Sequence, residues 1–438
     1  KPLVGFFPVF YNLSDTARLI MIAKRYRKIG GKVIFFSHGG KYEKMARDSG
    51  FEIIGVKPIM SDSSIESVWN FHRTDSIRGF SKYRKGAKKT SASEWVVECV
   101  ENELEAYKKT GIKMLVCAFI LSCSISARVA KIPSISVVPL VLGESKFNIQ
   151  VPDLAENTFT RLLPQSWKIH FVNWYLKRVK LFLKPYNYAA KKFNVPTFKS
   201  YFDLFLGDHT FETNDLEFIN VFPNQRERPA GDYIGPILID ELFVDKFSKQ
   251  ETKKIEYEIE KHLKKPGRSV LLTLGSVGHE NLFLKILSVL DKSNCNVIAL
   301  YSQKLEEEKI SNLSNKILIK KFVPSIKKIH NMVDLSITHG GQGTVYTAAY
   351  AGKPIIGIPI QPEQNLNLEK IVGHGSGIML SKKYFDEHKL LNALNKIFDN
   401  YDEYLANAEK LANKLPPPKG PENAAKRMIE IMEEEYVR

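Results

Sequence analysis

Short apolar runs alternate with helix-patterned stretches in this chain, and the alternation occurs twice. Leu3–Val9, Lys32–Ser37 and Phe51–Val56 are β-rich runs, separated by helical patterns over Asp15–Gly30 and Tyr42–Ser49 with Gly50 as a C-cap. Met114–Phe119 and Ile135–Val141 read as two more buried strands. Apolar strands joined through helices must be covered on both faces, which selects a parallel sheet with right-handed crossovers. The pattern returns with strands over 269–274, 296–301, 317–322, 335–338 and 355–360, and helices over 282–290 and about 344–351. The expected class is therefore α/β, with two Rossmann-like, doubly wound parallel-sheet domains in tandem. The turn-rich segment Pro229–Pro236 is read as the linker, and Pro416-Pro417-Pro418 breaks the chain before a last amphipathic helix, about Glu422–Glu435.

Other classes are excluded by simple counts. Of 438 residues, 44% are hydrophobic and 26% charged, a balance that rules out a disordered polymer. Cys99, Cys117, Cys123 and Cys295 form no CxxC and no zinc-like pairing with histidine, so a reducing compartment is expected rather than a disulfide or structural zinc scaffold. The longest uncharged apolar stretch, Met114–Ala127, is shorter than the ~20 residues a membrane span needs. The chain opens on Lys1 rather than Met, and residues 1–10 carry no long apolar run of the secretory kind.

Charge is spread unevenly. Up to residue 238 there are 35 basic and 22 acidic residues, against 29 and 26 beyond it. A basic half suits an anionic partner, although a solvated lysine-rich surface would give the same count. Within it, Arg161–Ser200 holds nine Lys or Arg, nine aromatics and no acidic residue. Phe171, Trp174, Tyr175, Val179, Phe182 and Leu183 recur at helical spacing. Three readings stay open: a docked helix with its cationic face in water, a peripheral membrane patch, or a single-strand nucleic-acid surface. Nucleic acid is the least favoured of the three.

The sharpest chemical signal is Thr338-His339-Gly340-Gly341-Gln342-Gly343-Thr344, which follows a strand and opens a helix. Glycines there let backbone approach a ligand, and the free amides of a helix start favour phosphate. His339 can add a hydrogen bond, or a charge if protonated. Leu274-Gly275-Ser276 ends another strand in a second glycine turn. Phe322-Val323-Pro324 offers an aromatic face and backbone groups to a base. Glu363-Gln364, after the strand that ends near Pro359, can accept from and donate to vicinal sugar hydroxyls. In this order, at strand C-termini of one doubly wound domain, the four describe one crevice. His38-Gly39-Gly40 imitates the histidine motif after the second strand and is read as a plain turn in preference to a lining of the acceptor side of the cleft.

These residues resemble the UDP-glycosyltransferase-like members of the two-domain GT-B glycosyltransferases, most strongly from about Gly231 to Gln364. The resemblance implies an N-terminal acceptor-binding domain over 1–238, with a basic aromatic helical segment at 156–200, and a C-terminal nucleotide-sugar domain over 239–420. The two would face a central cleft, with the helix in 421–438 packing back on the N-terminal domain. It implies Phe322 and Val323 for the base, and Gly275, Ser276, His339, Gly340, Gly341, Gln342, Gly343 and Thr344 around the diphosphate. Glu363 and Gln364 would hold the sugar hydroxyls. Thr347 departs from the family, which has a ribose-holding Glu there. The family's general-base His is also missing: its place after the first strand is held by Asp15, flanked by Ser14 and, one turn on, Arg18. Asp15 can take a hydroxyl proton. Ser14 or Asp15 is equally what a helix N-cap would use. No acid lies near Cys117, where the family's orienting Asp belongs, and no Asp-x-Asp metal motif occurs.

The resulting expectation is an inverting, metal-independent hexosyltransferase that carries a sugar from a UDP-sugar to a hydroxyl of a hydrophobic or lipid acceptor. UDP-sugar is a substrate, and no cofactor is expected. A cytoplasmic location at the inner face of a membrane, with contact through 161–200, fits this expectation. The alternatives are a non-catalytic nucleotide-sugar-binding subunit at a membrane surface and an enzyme resembling the UDP-sugar 2-epimerases.

Overall fold

The computed structural model describes residues 2–60, 92–139, 163–164, 166–168, 170, 174, 183–200, 202–219, 232–244, 247–275, 280–301, 305–382 and 384–437. They form two compact units. The first is built along the chain as β1 (Leu3–Pro8), α1 (Leu13–Lys28), β2 (Lys32–Ser37), α2 (Glu43–Asp48), β3 (Ile53–Gly55), α3 (Ala92–Thr110), β4 (Met114–Ala118), α4 (Cys123–Ala130), β5 (Ser134–Val138), α5 (Lys184–Lys192), β6 (His209–Glu212) and β7 (Asp232–Tyr233). Its seven strands lie in the order β3-β2-β1-β4-β5-β6-β7, and each neighbouring pair is parallel.

The central strand explains why this arrangement packs. Residues 4–8 of β1 are all buried, and its Phe6 stacks on Phe35 of β2 while Phe7 packs at a tilt against Phe36, with ring centroids 5.5 and 5.7 Å apart. Gly5 is required between them, because a Cβ there would sit 2.5 Å from the Phe36 ring. Asn12 caps α1 by accepting from the Ser14 amide at 2.9 Å. The cap is therefore neither Ser14 nor Asp15, one of the options open in the sequence.

The second unit continues with α6 (Leu216–Ile219), α7 (Glu241–Val244), α8 (Lys249–Leu263), β8 (Arg268–Thr273), α9 (Glu280–Lys292), β9 (Cys295–Leu300), β10 (Ile317–Lys320), α10 (Ile326–Met332), β11 (Leu335–Thr338), α11 (Gln342–Tyr350), β12 (Ile355–Gly357), α12 (Pro362–Gly373), β13 (Gly377–Met379), α13 (Glu387–Asp399) and α14 (Tyr401–Lys414). Six parallel strands run in the order β10-β9-β8-β11-β12-β13. Its core joins Val270 and Leu272, Val297, Ile337, Ile356, Phe283 and Ile286 to Leu390 and Leu394 of α13.

Two sequence expectations are corrected. Asp232–Tyr233, inside the segment read as linker, pair with Phe211–Glu212 and close the edge of the first sheet. Conversely, Asp215–Ile219 fall in the second unit: the Asp215 amide donates to Tyr346 Oη at 2.8 Å, and Phe218 lies 4.5 Å from the Tyr346 ring. Some strands also end earlier than their apolar runs. Ile358 is wholly buried although β12 stops at Gly357, because an apolar run records burial rather than ladder pairing.

The last helix, α15 (Gly420–Val437), belongs to the first unit. It lays Ala424, Ala425, Met428, Ile431 and Met432, all buried, on the side of α1. Arg25 meets Glu422 at 2.5 Å, Asn423 donates to the Ile234 carbonyl at 2.9 Å, and Arg427 pairs with Asp232 at 3.3 Å. Replacing Ile431, which has no exposed surface, by Ala should lower the stability of the first unit by about 2–4 kcal/mol, the cost of a partly collapsed core cavity. Urea denaturation followed by a probe within the first unit measures it.

Candidate functional site

In a parallel sheet every strand delivers its C-terminus to the same edge, so loops distant in sequence become neighbours there. In the second unit β11 lies between β8 and β12, and this places the turn after Thr273 beside the turn after Thr338. Gly275 has φ +72 and Gly340 φ +88, conformations that disfavour any side chain. A Cβ on Gly275 would lie 2.6 Å from Cε1 of His339, and one on Gly341 would lie 2.6 Å from its Nε2. The imidazole thus occupies a slot that exists only because both flanking residues lack side chains. Part of its edge remains accessible, but enclosure strips enough water to lower its pKa to about 4, against a hydrogen bond with the Thr273 backbone that works in the other direction. His339 is therefore a neutral hydrogen-bonding group near pH 7, which narrows the two options left open in the sequence.

Gly341 is the N-cap of α11, and Gln342, Gly343 and Thr344 supply its first turn. The first amides of a helix have no intrahelical partner and carry the positive end of its dipole, a setting for an anion. A Cβ on Gly343 would meet nothing within 4 Å. Thr347 is buried and returns its hydroxyl to the Gly343 carbonyl at 2.5 Å. The side chain standing where the resembling family has a carboxylate is thus committed to its own helix.

Glu363 lies in the first turn of α12 and is half-buried. Gln364 is buried, and its Oε1 accepts from the amides of Ile360 and Gln361 at 2.8 and 3.0 Å. That oxygen holds the turn, so only the amide NH2 of Gln364 can donate to a sugar hydroxyl, half of what its side chain offers on paper. Phe322 is 51% exposed, while Val323 packs with Ile329 and Val333. Of this pair only Phe322 presents a side chain for stacking. Ser276 lies outside the described residues.

One residue braced against this turn escaped the sequence. Asn367, buried on α12, donates from Nδ2 to the Gly340 carbonyl at 3.0 Å, and a Cβ on Gly340 would come within 2.7 Å of Leu368 and the Gln364 carbonyl. A polar residue one turn into a helix gives no signal in the sequence that its partner lies 27 residues away.

In the first unit, Asp15 and Arg18 lie on the first turns of α1, after the C-terminal end of β1. Both are buried and joined at 2.9 Å, while Ser14 is exposed. His38 is buried too: Nδ1 meets the Val56 carbonyl at 3.0 Å and Nε2 meets Glu103 at 3.1 Å, and Ser122 donates to the same carboxylate oxygen. A Cβ on Gly40 would come within 2.5 Å of the Phe10 backbone. His38-Gly39-Gly40 is thus an internal anchor. An acid does reach the end of β4, but Glu103 comes from α3 and serves His38 and Ser122.

Of the basic aromatic stretch, Phe171, Tyr175, Val179 and Phe182 lie outside the described residues. Leu183, Ala189, Ala190 and Phe198 are buried against Val96, Val97 and Val100 of α3, so its later part is docked. Leu163, Trp167, Trp174 and Tyr188 are exposed, Trp167 to 66%. Among the described residues no helix is long and apolar enough to cross a membrane, and the four cysteines are buried free thiols.

Comparison with known proteins fits this geometry. Residues 269–421 match the glycosyltransferase family 28 C-terminal domain. UDP-glucuronosyltransferase 2B16 of Oryctolagus cuniculus is 27% identical over 176 residues, 38% of this chain and 32% of that protein. UDP-glucuronosyltransferase 3A2 of Homo sapiens is 23% identical over 285 residues, 61% of this chain and 52% of that protein. The chain thus spans about a third to a half of these relatives' lengths. The solved structure of spinosyn forosaminyltransferase SpnP aligns over 98% of both chains with a TM-score of 0.65 at 14% identity, which shows the fold. The chain thus has the GT-B fold of that solved structure, and in sequence it is similar to UDP-glucuronosyltransferases.

The buried histidines make stability depend on pH. His339 falls to about 4 and His330, enclosed and bonded to Ser336 Oγ at 2.8 Å, to about 3, both from 6.5. Between these values and 6.5 the unfolded chain binds protons that the folded unit does not, so stability rises with pH. Urea denaturation of the second unit should show stability falling as pH drops from 6.5 towards 4, and His339→Gln should flatten that slope.

Proposed function

We propose that the chain transfers a sugar from a UDP-sugar to a hydroxyl of a hydrophobic or lipid acceptor, with inversion at the anomeric carbon. The observation that carries this reading is the His339 slot at the Gly340-Gly341 turn, opening on the first amides of α11. A neutral imidazole and helix amides stabilise charge on a departing diphosphate by fixed dipoles, without a countercharge of their own. Phe322 is the stacking surface for the base, and Glu363 with the Gln364 amide reads the sugar. The names of the UDP-glucuronosyltransferase relatives support uridine as the nucleoside.

Asp15 is the general base of this reading. Arg18 at 2.9 Å fixes the orientation of its carboxylate within a buried first turn, and a positioned carboxylate takes the acceptor proton as the oxygen attacks. The acceptor class rests on the exposed Trp167, Trp174 and Leu163 in a stretch with nine basic residues and no acidic one. That combination suits an interface carrying anionic headgroups.

Thermal unfolding with UDP, GDP, ADP and TDP tests the donor half. A ligand at 100 times its dissociation constant adds about 2.7 kcal/mol. UDP should give that shift and His339→Ala should abolish it, after which acceptors are sought in lipid extracts. Absence of any nucleotide response removes the transferase reading. Asp15→Asn should lower kcat by about 10²–10⁴-fold while leaving UDP affinity unchanged, the range for loss of a general base. A subunit that only binds nucleotide sugar, the second reading, would show UDP affinity and no turnover in the wild type.

A further inference from the structure

We propose that Asn367 is a positioning residue that locks the Gly340–Gly341 peptide with its amide towards the diphosphate. The inference rests on the nucleotide-binding reading above and concerns how the site keeps its polarity. In a trans peptide the carbonyl and the following N–H point in opposite directions. Asn367, buried on α12, holds the Gly340 carbonyl at 3.0 Å. The Gly341 N–H on the same peptide is thereby turned away from α12.

Without that bond the orientation has little to hold it. The peptide is flanked by glycines on both sides, and the Gly340 φ of +88 lies where glycine moves freely. A rotated peptide would present a carbonyl oxygen, the wrong end of the dipole, to a diphosphate. Two neighbouring contacts do not prevent it. Thr338 Oγ1 accepts from the Gly340 amide at 3.3 Å, on the other side of the Cα. Leu368 limits the space beside the Gly340 Cα but carries no polar atom. Asn367 therefore supplies a hydrogen bond that fixes the Gly340 carbonyl directly.

Calorimetric titration with UDP and UMP, well below the unfolding temperature, tests this on Asn367→Leu and Asn367→Asp. Leu keeps the volume and removes the donor; Asp replaces the donor with an acceptor that repels the carbonyl. UDP should bind about tenfold more weakly to the Leu variant, and weaker still to the Asp variant, on the scale of one lost orienting hydrogen bond. UMP, which lacks the second phosphate, should change by no more than about twofold on that scale. An equal loss for both nucleotides would mean a merely structural Asn, and unchanged UDP binding would also overturn the proposal. If neither variant folds, the Asn367 side-chain amide signal of the wild-type protein decides by NMR. It should shift with UDP and not with UMP, and the proposal fails if UDP leaves it unmoved. A wild type that binds neither nucleotide would instead overturn the reading of the site itself.

Discussion

Two missing side chains organise the second unit. The His339 ring fills space that a Cβ on Gly275 or Gly341 would enter to within 2.6 Å, so the ends of β8 and β11 close together only around that imidazole. Close packing of this kind is unforgiving, because interiors leave few voids and tolerate little overlap. The same contact enforces the protonation state of the histidine. It also sets the start of α11, the end of a helix whose first amides lack intrahelical partners. Geometry, charge and packing at the turn therefore rest on one steric fact.

The α12 helix adds a second layer. Its first turn carries Glu363, Gln364 closes the loop before it, and Leu368 lies against both Gly340 and Gly357. The turn after β11 and the loop before α12 are thus both braced by side chains of the same helix. The first unit shows the same economy differently: Asp15 with Arg18, and His38 with Glu103 and Ser122, keep polar groups buried by pairing them. Burial of such groups is tolerable only with partners of this kind.

How much of this could be read beforehand depends on what kind of signal each feature leaves. Strands buried on both faces announce themselves as apolar runs, so β1, β2, β8 and β11 were legible, and so were the glycine turns. The strand β6, His209–Glu212, is short and half polar, and β7 has two residues inside a turn-rich segment; neither has a pattern to find. The role of His38 was illegible because its partner Glu103 is 65 residues away. That the Gln364 oxygen holds the loop was illegible, since nothing in its sequence position reveals it. Thr347 was visible as a departure, but its bond to Gly343 belongs to the folded helix alone.

The first unit is assembled from pieces of chain that flank the second, and this has a consequence for its synthesis. A polypeptide emerging from the ribosome completes residues 238–418 before α15 exists. Until residues 420–437 follow, the side of α1 that receives Met428, Ile431 and Met432 is uncovered, and Tyr26 lacks the sulfur of Met432 that it meets at 3.8 Å. The second unit can therefore finish folding while the first, although begun earlier, still exposes apolar surface. Pausing or premature termination in that interval would leave a nascent chain with one closed unit and one sticky helix face, the kind of species that chaperones bind and that aggregates when they do not.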